Sequence, residues 1–187
     1  MLKKRNVFEH LQLIHPMRVL LIIFFIVAGC AVEVNIMKLT SPAFNNNGKI
    51  PSLFTCDGAN KSPSLEISDV PSNAKSLVLL MEDPDVPKKI RADGMWDHWI
   101  VWNLSPTTKK ISEGSEPLGV HGKTTSETMA YVGPCPPDKE HRYFFKLFAL
   151  DILLNIPQGS TKDNVLAAMK SHVVAEAVLM GKYERGK

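Results

Sequence analysis

Three runs between residues 76 and 150 constrain this chain more than any other feature. Ser76 to Glu82 reads SLVLLME, Trp96 to Leu104 reads WDHWIVWNL, and His141 to Leu150 reads HRYFFKLFAL. The first is continuously apolar, as suits a buried strand. The second alternates, so that Trp96, His98, Ile100, Trp102 and Leu104 share one face of an extended chain, and the third puts His141, Tyr143, Phe145 and Leu147 on one side. Prolines punctuate them: DPDVP stops the first, and GPCPP stands shortly before the third, pinning the backbone there. Ser105 to Thr128 is polar, with three glycines and two prolines, and reads as a long loop or irregular arm. Helical spacing appears only late, over Thr161 to about Ser171, where Val165, Leu166 and Met169 share a stripe behind a Thr or Asp start. VVAEAVLMGKY then reads as a closing strand. The pattern predicts a mainly β domain with one or two short helices near the C-terminus.

The N-terminal residues are read separately. Lys3, Lys4, Arg5 and Arg18 lead into Val19 to Val27, VLLIIFFIV. That run falls short of the roughly 20 residues that span a bilayer as a helix, but it suits the apolar region of a secretory signal. VAGC at its end resembles the lipobox of bacterial lipoprotein signals, in which the cysteine is lipidated and becomes the first mature residue. The expected organisation is a lipoprotein-type signal over 1–29, lipidation at Cys30, a short tether over 30–36 and one domain over 37–187. The expected location is a bacterial cell envelope, with the lipid anchoring the protein to a membrane on its periplasmic or exterior side. An uncleaved anchor and a soluble secreted form are the alternatives, and Met17 is an alternative start.

Removing residues 1–29 leaves 158, enough for one domain with a real core. It also leaves 18 basic and 18 acidic residues, so the net charge of +3 belongs to the leader. Without a basic stripe to neutralise phosphates, nucleic-acid binding has no electrostatic basis. Of three cysteines, Cys56 and Cys135 remain once Cys30 carries lipid. In an oxidising envelope they form an even pair that can bridge, the alternative being two unconnected buried thiols.

Polar chemistry gathers at the strand ends. Asp83 and Asp85 stand where the first run stops. If the first two runs pair antiparallel, these carboxylates and His98 reach one edge of the sheet. His141 joins that edge if its strand runs parallel to the second. Taken singly, Asp-Pro-Asp is a turn and a histidine at a strand start is exposed. Taken together, beside three tryptophans, they describe a concave pocket with a few placed polar groups.

DPDVP, WDHWIVWNL, GPCPP and HRYFFKLFALD, in that order, resemble the phosphatidylethanolamine-binding protein family in its bacterial and archaeal, Raf-kinase-inhibitor-like branch. TCDGANKSPSLEI, residues 55 to 67, resembles it too, and the likeness runs from about Met37 to Tyr183. The resemblance implies a large central β-sheet packed on a smaller one, an anion pocket and no established catalysis. Carried onto this chain, the pocket comprises Asp83, Asp85, Trp96, His98, Pro136, His141 and Tyr143. Gly122 to Glu127, GKTTSE, departs from the family's usual GKNSFG, which implies a differently shaped loop beside the pocket. The chain lacks the C-terminal helix of eukaryotic relatives, which implies a more open mouth. The exported leader is not typical of cytosolic members and argues against kinase regulation.

Three functions are compatible with these residues. The first is a non-enzymatic binding protein for a small phosphorylated or anionic ligand such as a phospholipid headgroup, with His98 and His141 donating to the anion and Asp83 orienting an imidazole or accepting from an ammonium. The second is an inhibitor of a protease or kinase acting through the pocket rim. The third is a metal-assisted or acid-base hydrolase, with Cys135 near His141 as a nucleophile if the thiol is free. No Gly-x-Ser-x-Gly or His-Glu-x-x-His occurs, so the expectation is no enzyme, no cofactor and no catalytic or metal-binding residue.

Overall fold

The computed structural model describes residues 36–186. The apolar run Val19 to Val27, the alternative start at Met17 and the lipidation expected at Cys30 lie outside them. In chain order the elements are β1 (Lys38–Thr40), β2 (Gly48–Lys49), a 3-10 turn (Ser52–Phe54), β3 (Leu65–Ser68), β4 (Ser76–Asp83), β5 (Trp96–Leu104), β6 (Lys110–Ile111), β7 (Val120–His121), β8 (His141–Leu150), α1 (Lys162–Met169) and β9 (Val173–Tyr183). They form a six-stranded sheet, β2-β9-β8-β4-β5-β7, and a three-stranded sheet, β1-β3-β6. The structure is thus mainly β, as the sequence predicts. The arm over 105–128 is irregular apart from β6 and β7, one on each sheet.

β4 is buried at all eight positions because it is a central strand covered on both faces. On one face Leu77, Leu79 and Met81 join Tyr143, Phe145 and Leu147 of β8 and the inward residues of the small sheet, Leu39, Leu65, Ile67 and Ile111. On the other, Val78 and Leu80 pack with Ile100, Trp102, Phe148 and Leu150 under Val165 and Met169 of α1. Thr161 caps that helix, its side chain accepting from the Asn164 amide while Asn164 reaches back to the cap. Leu166, expected on the inner stripe, is exposed. Lys162 takes an inward position instead.

Candidate functional site

β4 pairs antiparallel with both β5 and β8, so the end of β4 and the starts of the other two meet at one edge of the sheet. Asp83, Trp96 and His141 come together there because each is the terminal residue of its strand.

His98 arrives by a different route from the simple alternation expected. Met81 pairs with Trp99 but Glu82 pairs with Asp97, so β5 carries one extra residue, His98. Such a bulge re-aims a side chain. His98 turns to the Asp83 and Trp96 side, while Ile100 and Trp102 lie in the core beneath α1. A second slip near Asn103, whose φ is 58°, returns Leu104 to the core between the sheets. The single face proposed for Trp96, His98, Ile100, Trp102 and Leu104 is therefore divided between two. The bulge's backbone groups find partners in the irregular arm. Asp97 N donates to Thr125 Oγ1 at 2.9 Å, Thr125 N to the Asp97 carbonyl at 3.0 Å, and Val132 N to the His98 carbonyl at 3.0 Å.

A cavity of about 220 Å³ opens at this edge, lined by Asp83, Val86, Ile90, Trp96, His98, Ser126, Val132, Gly133, Cys135 and Pro137. His98 Nδ1 lies 2.7 Å from the Val132 carbonyl oxygen. A carbonyl can only accept, so Nδ1 carries a proton. Nε2 is buried without a partner among the described residues. Burial pushes the imidazole pKa down to about 4, with nearby His141 acting in the same direction and the Val132 bond opposing. Near neutrality the ring is uncharged, and Nε2 presents a lone pair.

His141, fully buried, lies behind Asp83 and does not line the cavity. Its Nδ1 is 2.7 Å from Asp83 Oδ2 and its Nε2 is 2.9 Å from Asp138 Oδ1. Both nitrogens are thus committed to carboxylates, which corrects the expectation that His141 donates to a ligand. The Asp85 amide donates to the other Asp83 oxygen at 2.8 Å. Burial raises the Asp83 pKa despite these two bonds. Exposed Asp138 is held below its usual value by the His141 contact. Tyr143 packs edge-on against His98 with 5.3 Å between ring centroids. Its hydroxyl is buried and makes no hydrogen bond among the described residues, and burial, then the charge on Asp83, keep the phenol protonated.

Two further sequence candidates lie outside the cavity. Asp85 accepts from Arg142 through both oxygens, at 2.8 and 2.7 Å, which lowers its pKa and fixes the turn after β4. Pro136 lines a separate surface groove with Asp138, Lys139 and Arg185, and Pro137 is the proline on the cavity wall. Cys56 and Cys135 are joined, and the Cys56 amide also donates to the Pro134 carbonyl.

Sequence reading missed much of the wall. Gly133 passes so close to the 3-10 turn that a Cβ there would meet the Phe54 carbonyl oxygen at 2.4 Å. Its amide donates to Asn60, and the Tyr131 hydroxyl donates to the same Phe54 oxygen. Asp138 was missed too, although its spacing of three residues before His141 was a signal. On the far side of the bulge, buried Lys162 pairs with Glu82 at 3.1 Å and with Asp97, while Lys146 also pairs with Glu82. Burial by itself lowers the Lys162 pKa. The two carboxylates outweigh it and leave the pKa raised. Among the described residues no group of three or more His, Cys, Asp or Glu is arranged to hold a metal ion, and no helix is long and apolar enough to cross a membrane.

The family model for phosphatidylethanolamine-binding protein matches residues 40–184. A UPF0098 protein of Chlamydia pneumoniae is 53% identical over 149 residues, covering 80% of this chain and 99% of that protein. Among solved structures, a putative phosphatidylethanolamine-binding protein homolog from Chlamydia trachomatis superposes with a TM-score of 0.79 at 49% identity, over 81% of this chain and 99% of that one. E. coli YbcL, described as a new member of the mammalian family, gives a TM-score of 0.72 at 28% identity, over 80% of this chain and 99% of that one.

Proposed function

The chain belongs to the phosphatidylethanolamine-binding protein family, and on that premise we propose that it is a non-enzymatic binding protein holding a small phosphorylated or anionic ligand in the cavity beside Asp83, Trp96 and His98. One observation carries the reading: His98 is 4% exposed, lines the cavity, and keeps Nε2 without a partner among the described residues. Buried polar atoms left unpaired are uncommon and costly, so such an atom on a side chain that lines a cavity marks where a ligand or ordered water belongs. The walls suit a placed ligand because Tyr131, Gly133 and the Cys56–Cys135 bond fix the wall segment before any ligand arrives, which lowers the ordering cost of binding. The same disulfide supports an exported, oxidising setting.

Loss of a hydrogen bond to a charged group costs roughly 1.5 to 3 kcal/mol. In calorimetric titration with phosphoethanolamine, His98→Ala should therefore bind at least tenfold more weakly than wild type, with an unchanged far-ultraviolet spectrum. Equal binding by the two proteins would remove the assignment. Rim-mediated inhibition of another protein is supported by Ile90, which lines the cavity and is 49% exposed, an apolar foothold at its mouth. A partner whose affinity drops with Ile90→Asp and not with His98→Ala would favour that reading.

A further inference from the structure

Within the cavity, the hydrogen-bonding sense of His98 restricts what can sit against it. Nδ1 is tied as a donor to the Val132 carbonyl at 2.7 Å, which leaves the neutral ring an acceptor at Nε2. Among the described residues no Lys or Arg lines the cavity. Asp83, its one charged side chain, has one oxygen held by the Asp85 amide and the other by His141. A phosphodiester brings only acceptor oxygens, so against His98 it would face a lone pair and leave Nε2 unmet. A phosphate dianion would fare worse, with twice the charge and still no proton. An ammonium brings three donors that Nε2 and the remaining lone pairs of Asp83 would accept, so ethanolamine alone is the competitor the titration has to separate. A singly protonated phosphomonoester brings one P–OH for one acceptor, and its other oxygens can turn to the mouth.

We infer that the group seated on His98 supplies the shared proton itself: the cavity selects a phosphomonoester in its monoanionic form, P–OH donating to Nε2, and discriminates against a phosphodiester. The inference rests on the reading of the cavity as a phosphate site. It separates two sources of one chemistry, since a phosphatidylethanolamine headgroup is a diester and free phosphoethanolamine a monoester. It also implies a pH dependence set by the ligand. The titratable groups around His98 are Asp83 on β4, His141 and Tyr143 on β8, and Asp138 before β8. His98 keeps its Nδ1–H tautomer throughout, and the second ionisation of a phosphomonoester, near pH 6, controls how much of the ligand can bind.

The experiment is calorimetric titration of the wild-type protein with phosphoethanolamine, glycerophosphoethanolamine and ethanolamine at pH 5.5, 6, 7 and 8, with the His98 ring nitrogens followed by NMR in the complex. The monoester should bind at least tenfold more tightly than the diester at pH 6 and lose about tenfold in affinity per pH unit above that. Nε2 should keep the shift of an unprotonated acceptor. Equal affinity for diester and monoester, monoester binding that does not change with pH, or a protonated Nε2 in the complex would each overturn the inference and leave a phosphate cavity standing. Binding by ethanolamine as tight as by phosphoethanolamine, or no binding by any of the three, would overturn both the inference and the reading beneath it.

Discussion

His98 stays neutral because burial removes the water that would stabilise its charge, and that carries a thermodynamic consequence beyond binding. Its folded pKa is about 4, below the 6.5 of an ordinary imidazole. Between those values the unfolded chain binds the proton and the folded one does not, so protons favour unfolding. Stability tied to the neutral ring is complete above pH 6.5 and is lost as the pH falls toward 4, by roughly 3 kcal/mol in all. Urea unfolding across that window should show the loss in wild type, and His98→Gln, which cannot titrate, should show a loss smaller by that amount. Parallel profiles would mean that the ring is charged in the folded protein. If the cavity takes a phosphomonoester as proposed, affinity and stability should respond oppositely to mild acid: the ligand should bind better at pH 6 than at pH 8, while the protein should begin to weaken below 6.5. The contrast with His141 is instructive. Both histidines sit at the sheet edge, yet His141 has a carboxylate on each nitrogen and His98 a carbonyl on one and a cavity on the other. Residue type alone could not separate these roles, since the partners, Val132 and Asp138, come from the irregular segment between β7 and β8.

At the scale of elements, the bulge in β5 turns an ordinary core strand into one wall of a site. It is held from both faces: Thr125 and Val132 bond its backbone on the arm side, and the Asp97 side chain pairs with Lys162 of α1 on the other. Lys162→Met removes the cation between Glu82 and Asp97 and leaves two largely buried carboxylates short of a partner, Lys146 reaching only Glu82. Breaking a buried pair on one side costs about 3 kcal/mol or somewhat more. The variant should melt earlier, and because Asp97 precedes His98 in the bulge, it should also bind phosphoethanolamine severalfold more weakly. Adding Glu82→Gln and Asp97→Asn should recover much of the stability, since no buried charge is then left unpaired. A single variant with unchanged stability would show that the network contributes nothing. These facts also mark where sequence reading stops. The long strands were legible because period-two patterning and proline stops are local, and β8 puts Tyr143, Phe145 and Leu147 in one core as the alternation predicts. A one-residue slip leaves no local trace in WDHWIVWNL, because it is set by contacts with residues 28 to 65 positions further along the chain. The same limit explains Pro136 and Pro137: GPCPP announces a rigid wall, but which proline lines the cavity depends on how Gly133, Pro134 and Cys135 tie the segment to residues 54–60.

For the molecule as a whole, the Cys56–Cys135 bond joins parts of the chain 79 residues apart, tying the segment after the 3-10 turn to the loop before β8. Between them lie β3 to β7, so the crosslink encloses two strands of the small sheet and three of the large one. Closing a loop of that length removes unfolded-state freedom worth about 4 kcal/mol in the chain-entropy account. Because Cys135 also lines the cavity, one bond contributes to global stability and to the shape of the site. Reduction should act on both, in unequal measure. The wall keeps the Asn60–Gly133 and Tyr131–Phe54 hydrogen bonds and the Cys56 to Pro134 backbone bond after the sulfurs part, so the reduced protein should still bind phosphoethanolamine, with affinity lowered only severalfold. Its unfolding free energy should fall by most of the crosslink's contribution. Paired denaturation and titration experiments on oxidised and reduced protein, with Cys56→Ser/Cys135→Ser as a control against thiol side reactions, measure the two effects separately. Two free thiols titrated in the unreduced protein would remove the crosslink and, with it, the support it lends to an oxidising location. A reduced protein that retains full stability but no longer binds would invert the argument, making the bond a part of the binding site whose contribution to the fold is negligible.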